Sequence, residues 1–252
     1  MTLRTAAAVL TAMLATAGCG GSSSSSSAMP PGSSNMVRAR FGDGAPELEA
    51  IINGVPQSIG QAYLQVDGQT VDTQFSYGSM TQFLFLTPGT HSLTALDDLG
   101  YRVGPLKSAS LSTGKEYTLI LVGSYPKYRV LAFEEPASIK GGAQLSLYEA
   151  SPQVPKASFG RFTASGHSNF KQLGSAAFGN VATVALGSGV SDFGGYVGKG
   201  NQAFPGDALT LRQVSAFDKQ NELPFHNATR LSLFFYDKVQ GSSGSVFGSL
   251  DK

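Results

Sequence analysis

Between Val37 and Phe133 no stretch repeats apolar residues at the i, i+3, i+4, i+7 spacing of an amphipathic helix. Instead, short runs of β-branched and aromatic residues are bounded by Gly, Pro, Asn or Asp. A run of that kind buries its apolar face only after pairing with others, so the pattern commits the chain to sheets. The expected strands are Val37 to Phe41, Leu48 to Ile52, Ala62 to Val66, Thr70 to Phe75, Thr81 to Leu86, His91 to Leu96, Lys107 to Leu111, Tyr117 to Val122 and Arg129 to Phe133. Asp67-Gly68 joins two of them as a two-residue hairpin, because that dipeptide tolerates the positive φ angles of a type I′ turn. Pro88-Gly89 and Thr113-Gly114 mark two further turns. The 31 glycines suit many turns between short strands better than they suit helices.

The N-terminus has a different character. Arg4 precedes an apolar run, Ala6 to Ala17, that is too short to cross a bilayer as a stable helix and has the shape of a cleavable signal. The run closes in Leu14-Ala15-Thr16-Ala17-Gly18-Cys19, where small residues precede the chain's single cysteine. This ending resembles the bacterial lipobox, with Thr16 where Leu is preferred, and the resemblance implies cleavage after residue 18 and lipidation of Cys19. With no second cysteine there is no intrachain disulfide, so the body must be held by its core. Residues 19–35, rich in Gly, Ser and Pro, have nothing to bury and read as a flexible tether with a reach of about 20 to 24 Å. Residues 240–252 read as a flexible tail. Gly20 after the cysteine, rather than Asp, resembles lipoproteins sent on to the outer membrane where the host is diderm.

The remaining length follows a related course. Gly114 to Val122 matches Gly206 to Val214 in the spacing of glycine, threonine, leucine and valine; Arg129 to Phe133 pairs with Arg230 to Phe234; and Arg40 to Pro46 pairs with Glu149 to Pro155. The order is the same in both halves, which predicts two repeats, 36–138 and 143–239, joined at Ile139 to Gly142.

These stretches, with Pro88-Gly89-Thr90-His91-Ser92-Leu93, Gly114 to Gly123, Val130 to Glu135 and Ala150-Ser151-Pro152, resemble the DUF4397 family of secreted or surface proteins. The resemblance implies an all-β fold of two tandem immunoglobulin-like antiparallel β-sandwich domains, the second degenerate, following the lipoprotein signal and Ser-rich tether. Its motifs specify a fold and carry no known chemistry.

Few residues of the chain fall in a pattern that carries chemistry. Gly166-His167-Ser168-Asn169-Phe170 has Phe170 where a nucleophile elbow needs glycine. His91, His167 and His226 are far apart and lack zinc-ligand spacing, and His91 is expected on a strand surface. Asp43, Asp67 with Asp72, and Asp97-Asp98 do not follow the EF-hand spacing, and the last pair reads as a hairpin tip. Gly195 to Gly200 fails as a phosphate loop, and Asn227-Ala228-Thr229 reads as a loop. Charged residues make up 14% of the chain with a net charge of +1 and no basic run, which excludes the electrostatic footprint of nucleic-acid binding. No cofactor and no metal are expected. Tyr125, Tyr128, Phe193, Tyr196 and Phe204 fall in Gly-rich or loop stretches and are the candidate ligand-binding aromatics.

The sequence thus describes a lipid-anchored, extracytoplasmic cell-envelope protein that is not an enzyme. Its expected role is structural or protein-interacting, its partners the membrane through Cys19 and envelope proteins or polysaccharide. The alternatives are a carbohydrate-binding or adhesion lipoprotein and, least favoured, a hydrolase with an unrecognised site.

Overall fold

The computed structural model describes residues 35–137, 143–162, 170–186, 193–196, 230–237 and 245–251. The signal, Cys19, Phe204, Gly206 to Val214, His167, Ser168, His226 and Asn227 to Thr229 lie outside the described residues, as does most of the tether. The chain is all-β. Its strands are β1 (Val37–Asp43), β2 (Glu49–Ile52), β3 (Val55–Ser58), β4 (Ala62–Val66), β5 (Gln69–Phe75), β6 (Leu84–Leu86), β7 (Ser92–Leu96), β8 (Arg102–Lys107), β9 (Glu116–Val122), β10 (Arg129–Glu134), β11 (Ala143–Glu149), β12 (Lys156–Phe162), β13 (Phe170–Ala177), β14 (Val181–Leu186), β15 (Phe193–Tyr196), β16 (Arg230–Tyr236) and β17 (Ser245–Asp251).

Two four-stranded sheets, β10-β9-β1-β6 and β5-β4-β7-β8, enclose the first core. Period-2 alternation sends Val37, Ala39 and Phe41 of β1, Leu64 and Val66 of β4, Leu93 and Ala95 of β7, and Leu119 and Leu121 of β9 inward, all nearly or fully buried. The β2–β3 hairpin adds Leu48, Ala50 and Ile59 to this core. Asp67 and Gly68 adopt φ values of 51° and 81°, as the hairpin reading requires.

The later strands form β14-β11-β16-β17 and β13-β12-β15. In the sheet of β11 the directions repeat those around β1. β11 lies parallel to β16 and antiparallel to β14, as β1 lies parallel to β9 and antiparallel to β6, and β17 flanks β16 as β10 flanks β9. In this correspondence Arg230 to Phe234 stands in the place of β9, not of β10, and Glu149 stands opposite Asp43, not Arg40.

Three expectations need correction. The tail expected at 240–252 contributes β17, whose backbone completes the edge beside β16. Gly and Ser disguise a strand there because an edge position requires main-chain groups more than side chains. The strand expected at Lys107 to Leu111 lies instead at Arg102–Lys107, with Leu111 making one isolated bridge to Gly89. Pro105 argues against a strand by sequence, but an edge strand tolerates a missing N–H. His91 is buried, not on the surface: its Nδ1 lies 2.7 Å from Asp67 Oδ2 and its Nε2 lies 2.8 Å from the Thr87 carbonyl.

The β1 and β11 sheets pack face to face, and their contact has a polar centre. Glu135, its side chain 2% exposed, accepts from Tyr148 OH at 2.7 Å, Arg230 Nη1 at 3.2 Å, Arg40 Nη2 at 3.4 Å and Thr118 Oγ1. Arg40 also donates through Nε to Thr118 Oγ1 at 2.8 Å and through Nη2 to Ser232 at 3.4 Å. Around this centre Tyr148 stacks on Phe234 at 4.6 Å and meets Phe133 edge-on at 5.5 Å. Burial, then the charge of Glu135, pushes the Tyr148 hydroxyl well above its ordinary pKa, so it keeps the proton that it donates to Glu135.

Candidate functional site

A groove of about 540 Å³ opens on the first sandwich. One wall is β2 at Glu49 to Ile51, the other runs from Gly100 along β8 to Leu106, and the β9–β10 loop closes it with Tyr125, Pro126 and Tyr128. Its volume falls in the range of small-molecule and peptide sites. Three tyrosines meet here, since Tyr101 joins Tyr125 and Tyr128. Two of the candidate aromatics are therefore brought together by the fold. Phe193 and Tyr196 lie on β15, paired with Arg161 and Ser158 of β12 in a different sheet.

Local structure explains how each wall is held. Asn53 and Gly54, with φ of 53° and 83°, make the tight turn that returns β2 into β3. Asp97 Oδ1 accepts the N–H groups of Leu99 at 3.0 Å and Tyr101 at 2.8 Å, so the acidic hairpin tip shapes the entry of β8. Tyr128 acts twice. Its hydroxyl accepts the Glu49 N–H at 2.9 Å and donates to the Glu47 carbonyl at 2.9 Å, tying the β9–β10 loop to the approach to β2. Burial, with smaller contributions from Glu49 and Asp43, raises its pKa, and the group stays a neutral hydroxyl. Gly123 begins the same loop at φ 104°, where a Cβ would stand 2.4 Å from the Lys127 carbonyl oxygen.

Two of the side chains lining the groove are exposed, Ile51 at 48% and Tyr125 at 36%. The charged side chains lining the groove, Glu49 and Arg102, stand on opposite walls. The arrangement offers aromatic faces, main-chain polar groups and one charge of each sign, which suits recognition.

The other sequence candidates have local duties. Asp43 Oδ1 accepts the Ala45 N–H at 2.9 Å, Asp72 Oδ1 that of Gln74 at 2.8 Å, and Asp67 Oδ1 that of Ser92 at 2.9 Å. Gly195 is paired within β15, not placed in a loop. Among the described residues no group of three His, Cys, Asp or Glu converges.

A family model matches residues 50–159, described as a domain of unknown function, DUF4397. The chain carries a DUF4397 domain. The matched stretch contains Pro88 to Leu93, Gly114 to Gly123, Val130 to Glu135 and Glu149 to Pro155, whereas Arg40 to Pro46 and Gly206 to Val214 lie outside it. Every groove residue except Glu49 falls within the DUF4397 match. No curated protein matches the chain.

Sequence reasoning missed Tyr101, Ile51 and Arg102 as parts of the site. Asn53-Gly54, a strong hairpin signal, marks the projecting hairpin and so the wall bearing Ile51; nothing in the sequence brings β8 beside it.

Proposed function

We propose that the protein is a lipid-anchored component of the cell envelope, held through Cys19, that acts as a structural or protein-interaction module and not as an enzyme. Its β-rich body is read as two tandem sandwich units, a reading supported by the repeated strand order and directions around β1 and β11. The observation that carries the interaction role is the meeting of Tyr101, Tyr125 and Tyr128 in one groove with exposed Ile51. Such a patch on an exported body marks a recognition surface. A carbohydrate-binding or adhesion role is the second reading, because an exposed tyrosine face such as that of Tyr125 also stacks on sugar rings.

Two measurements test this. Intact mass and membrane fractionation of the wild type and Cys19→Ala should show a diacylglycerol-sized increment and membrane retention in the wild type alone; equal solubility of both removes the anchor. A photo-crosslinking amino acid at position 125, compared with one at Thr70 on the exposed face of β5, should give protein adducts in intact cells from position 125 only. Equal yields from both positions refute the groove as the recognition surface.

A further inference from the structure

The groove is bordered by strand edges whose main-chain groups face into it. In the β2–β3 ladder, the Ile59 N–H to Leu48 carbonyl bond of 2.7 Å and the register Glu49↔Ser58, Ile51↔Pro56 set the phase, so Glu49 and Ile51 turn their N–H and C=O groups away from β3. Two observations agree with that phase. The Glu49 N–H is taken from outside by Tyr128, and Pro56, which has no N–H, sits opposite Ile51 where β3 needs none. In the β7–β8 ladder, the Asp97 N–H to Tyr101 carbonyl bond of 2.9 Å and the register Leu96↔Arg102 likewise turn the Arg102 main chain away from β7. Among the described residues β8 is the outer strand of its sheet, and β2 pairs only with β3.

Tyr128 shows what such an edge receives. By accepting from Glu49 N–H and donating to Glu47 C=O, its hydroxyl makes the two bonds that a residue of a neighbouring strand would make. Two residues further along β2, the Ile51 groups are where the next residue of that strand would bond.

We propose that the groove takes an extended segment of another protein as a short added strand, bonded to the open main-chain groups of Ile51 or Arg102 and packed on Tyr101 and Tyr125. This rests on the interaction reading above and names its partner as polypeptide. A sugar hydroxyl can satisfy one such N–H and C=O pair, as the Tyr128 hydroxyl does, but a peptide backbone alone repeats donor and acceptor at the spacing of a strand. The edge is also built to stay short. Pro105 lacks an N–H, Lys107 ends β8 with a charge, and the register breaks between Leu93 and Ala95, so the ladder offers no long run to a second copy of this chain.

The test uses the full-length chain and a pooled library of blocked random heptapeptides, read by affinity selection and mass spectrometry. Ile51→Pro removes one outward N–H while the β2–β3 bonds remain, and an unchanged melting temperature confirms that it folds. Peptides should be enriched on the wild type, and the selected ones should bind Ile51→Pro or Arg102→Pro about tenfold more weakly, the loss of a hydrogen bond or two. N-methylation at alternate peptide amides should weaken binding by a similar factor at one set of positions only. Enrichment that is insensitive to proline and to N-methylation overturns the added strand. If no peptide is enriched but chitohexaose binds and Tyr125→Ala abolishes it, the polypeptide claim falls and the groove stands as a sugar site. If neither probe binds, the groove reading falls as well. Wild-type self-association abolished by Ile51→Pro identifies a second copy as the occupant and likewise overturns the claim.

Discussion

Glu135→Gln removes a charge and keeps the shape at the centre of the contact between the β1 and β11 sheets. The carboxylate is 2% exposed and accepts from Arg40, Arg230, Thr118 and Tyr148. Arg40, with its side chain 3% exposed, stays in place when the amide replaces it, so a guanidinium keeps its desolvation cost and loses its carboxylate. Breaking a buried pair from one side costs about 3 to 5 kcal/mol, far more than an exposed pair would. For a body of this size that corresponds to a fall in melting temperature of roughly 6 to 20 °C. Urea denaturation followed by tyrosine fluorescence measures it, and the combined Arg40→Met, Glu135→Leu variant should recover part of the loss, because the Arg40 charge is then no longer uncompensated while Arg230, Thr118 and Tyr148 still lose their acceptor. A single-variant cost under about 1 kcal/mol, or no recovery in the double variant, would refute the view that this network holds the two sheets together.

Three further outcomes are expected. Burial pushes the carboxyl of Asp43 up to about 7 and that of Glu149 up to about 8, the Asp237 charge adding to the rise at Glu149; folding then takes up protons, so their favourable contribution is present below the ordinary carboxylate range and is lost as pH rises through 7 and 8. Denaturation midpoints at pH 5 and 8.5 should differ less in Asp43→Asn and Glu149→Gln than in the wild type, and an unchanged difference refutes the assignment. Tyr128→Phe should cost about 1 to 2 kcal/mol, since it leaves the Glu49 N–H and the Glu47 carbonyl without this partner, and amide hydrogen exchange should quicken at Glu49. Gly123→Ala should destabilise the β9–β10 loop by more than 1 kcal/mol, because a Cβ meets the Lys127 carbonyl at 2.4 Å, and proteolysis should cut the variant between Ser124 and Lys127 faster than the wild type.

Much of the first sandwich is legible because alternation and turn chemistry are local. Ala62 to Val66 alternates buried and half-buried positions along β4, as its sequence pattern predicts, and Asp67-Gly68 makes the hairpin its dipeptide demands. β8 is not legible in the same way. Gly104 and Pro105 break its pattern, and only its place at a sheet edge makes them tolerable. His91 reads as a surface residue from its neighbours, yet it is buried, with its ring nitrogens on Asp67, distant in sequence, and on the Thr87 carbonyl. The groove is half legible. Tyr125 and Tyr128 announce themselves as loop aromatics, while Tyr101 and Ile51 join them through pairings of separate elements.

By itself the sequence determined that this chain forms sheets, where several tight turns fall, and which family its pattern follows, because those properties depend on side-chain period and on φ preferences within a few residues. Tertiary structure alone decided which strands share an edge with a groove, and that Arg40, Thr118, Glu135, Tyr148, Arg230 and Ser232 meet in one buried network. Those partners are up to 192 positions apart, and no local rule carries information over that distance. Burial converts their proximity into energy, since a carboxylate is costly to desolvate until its donors surround it.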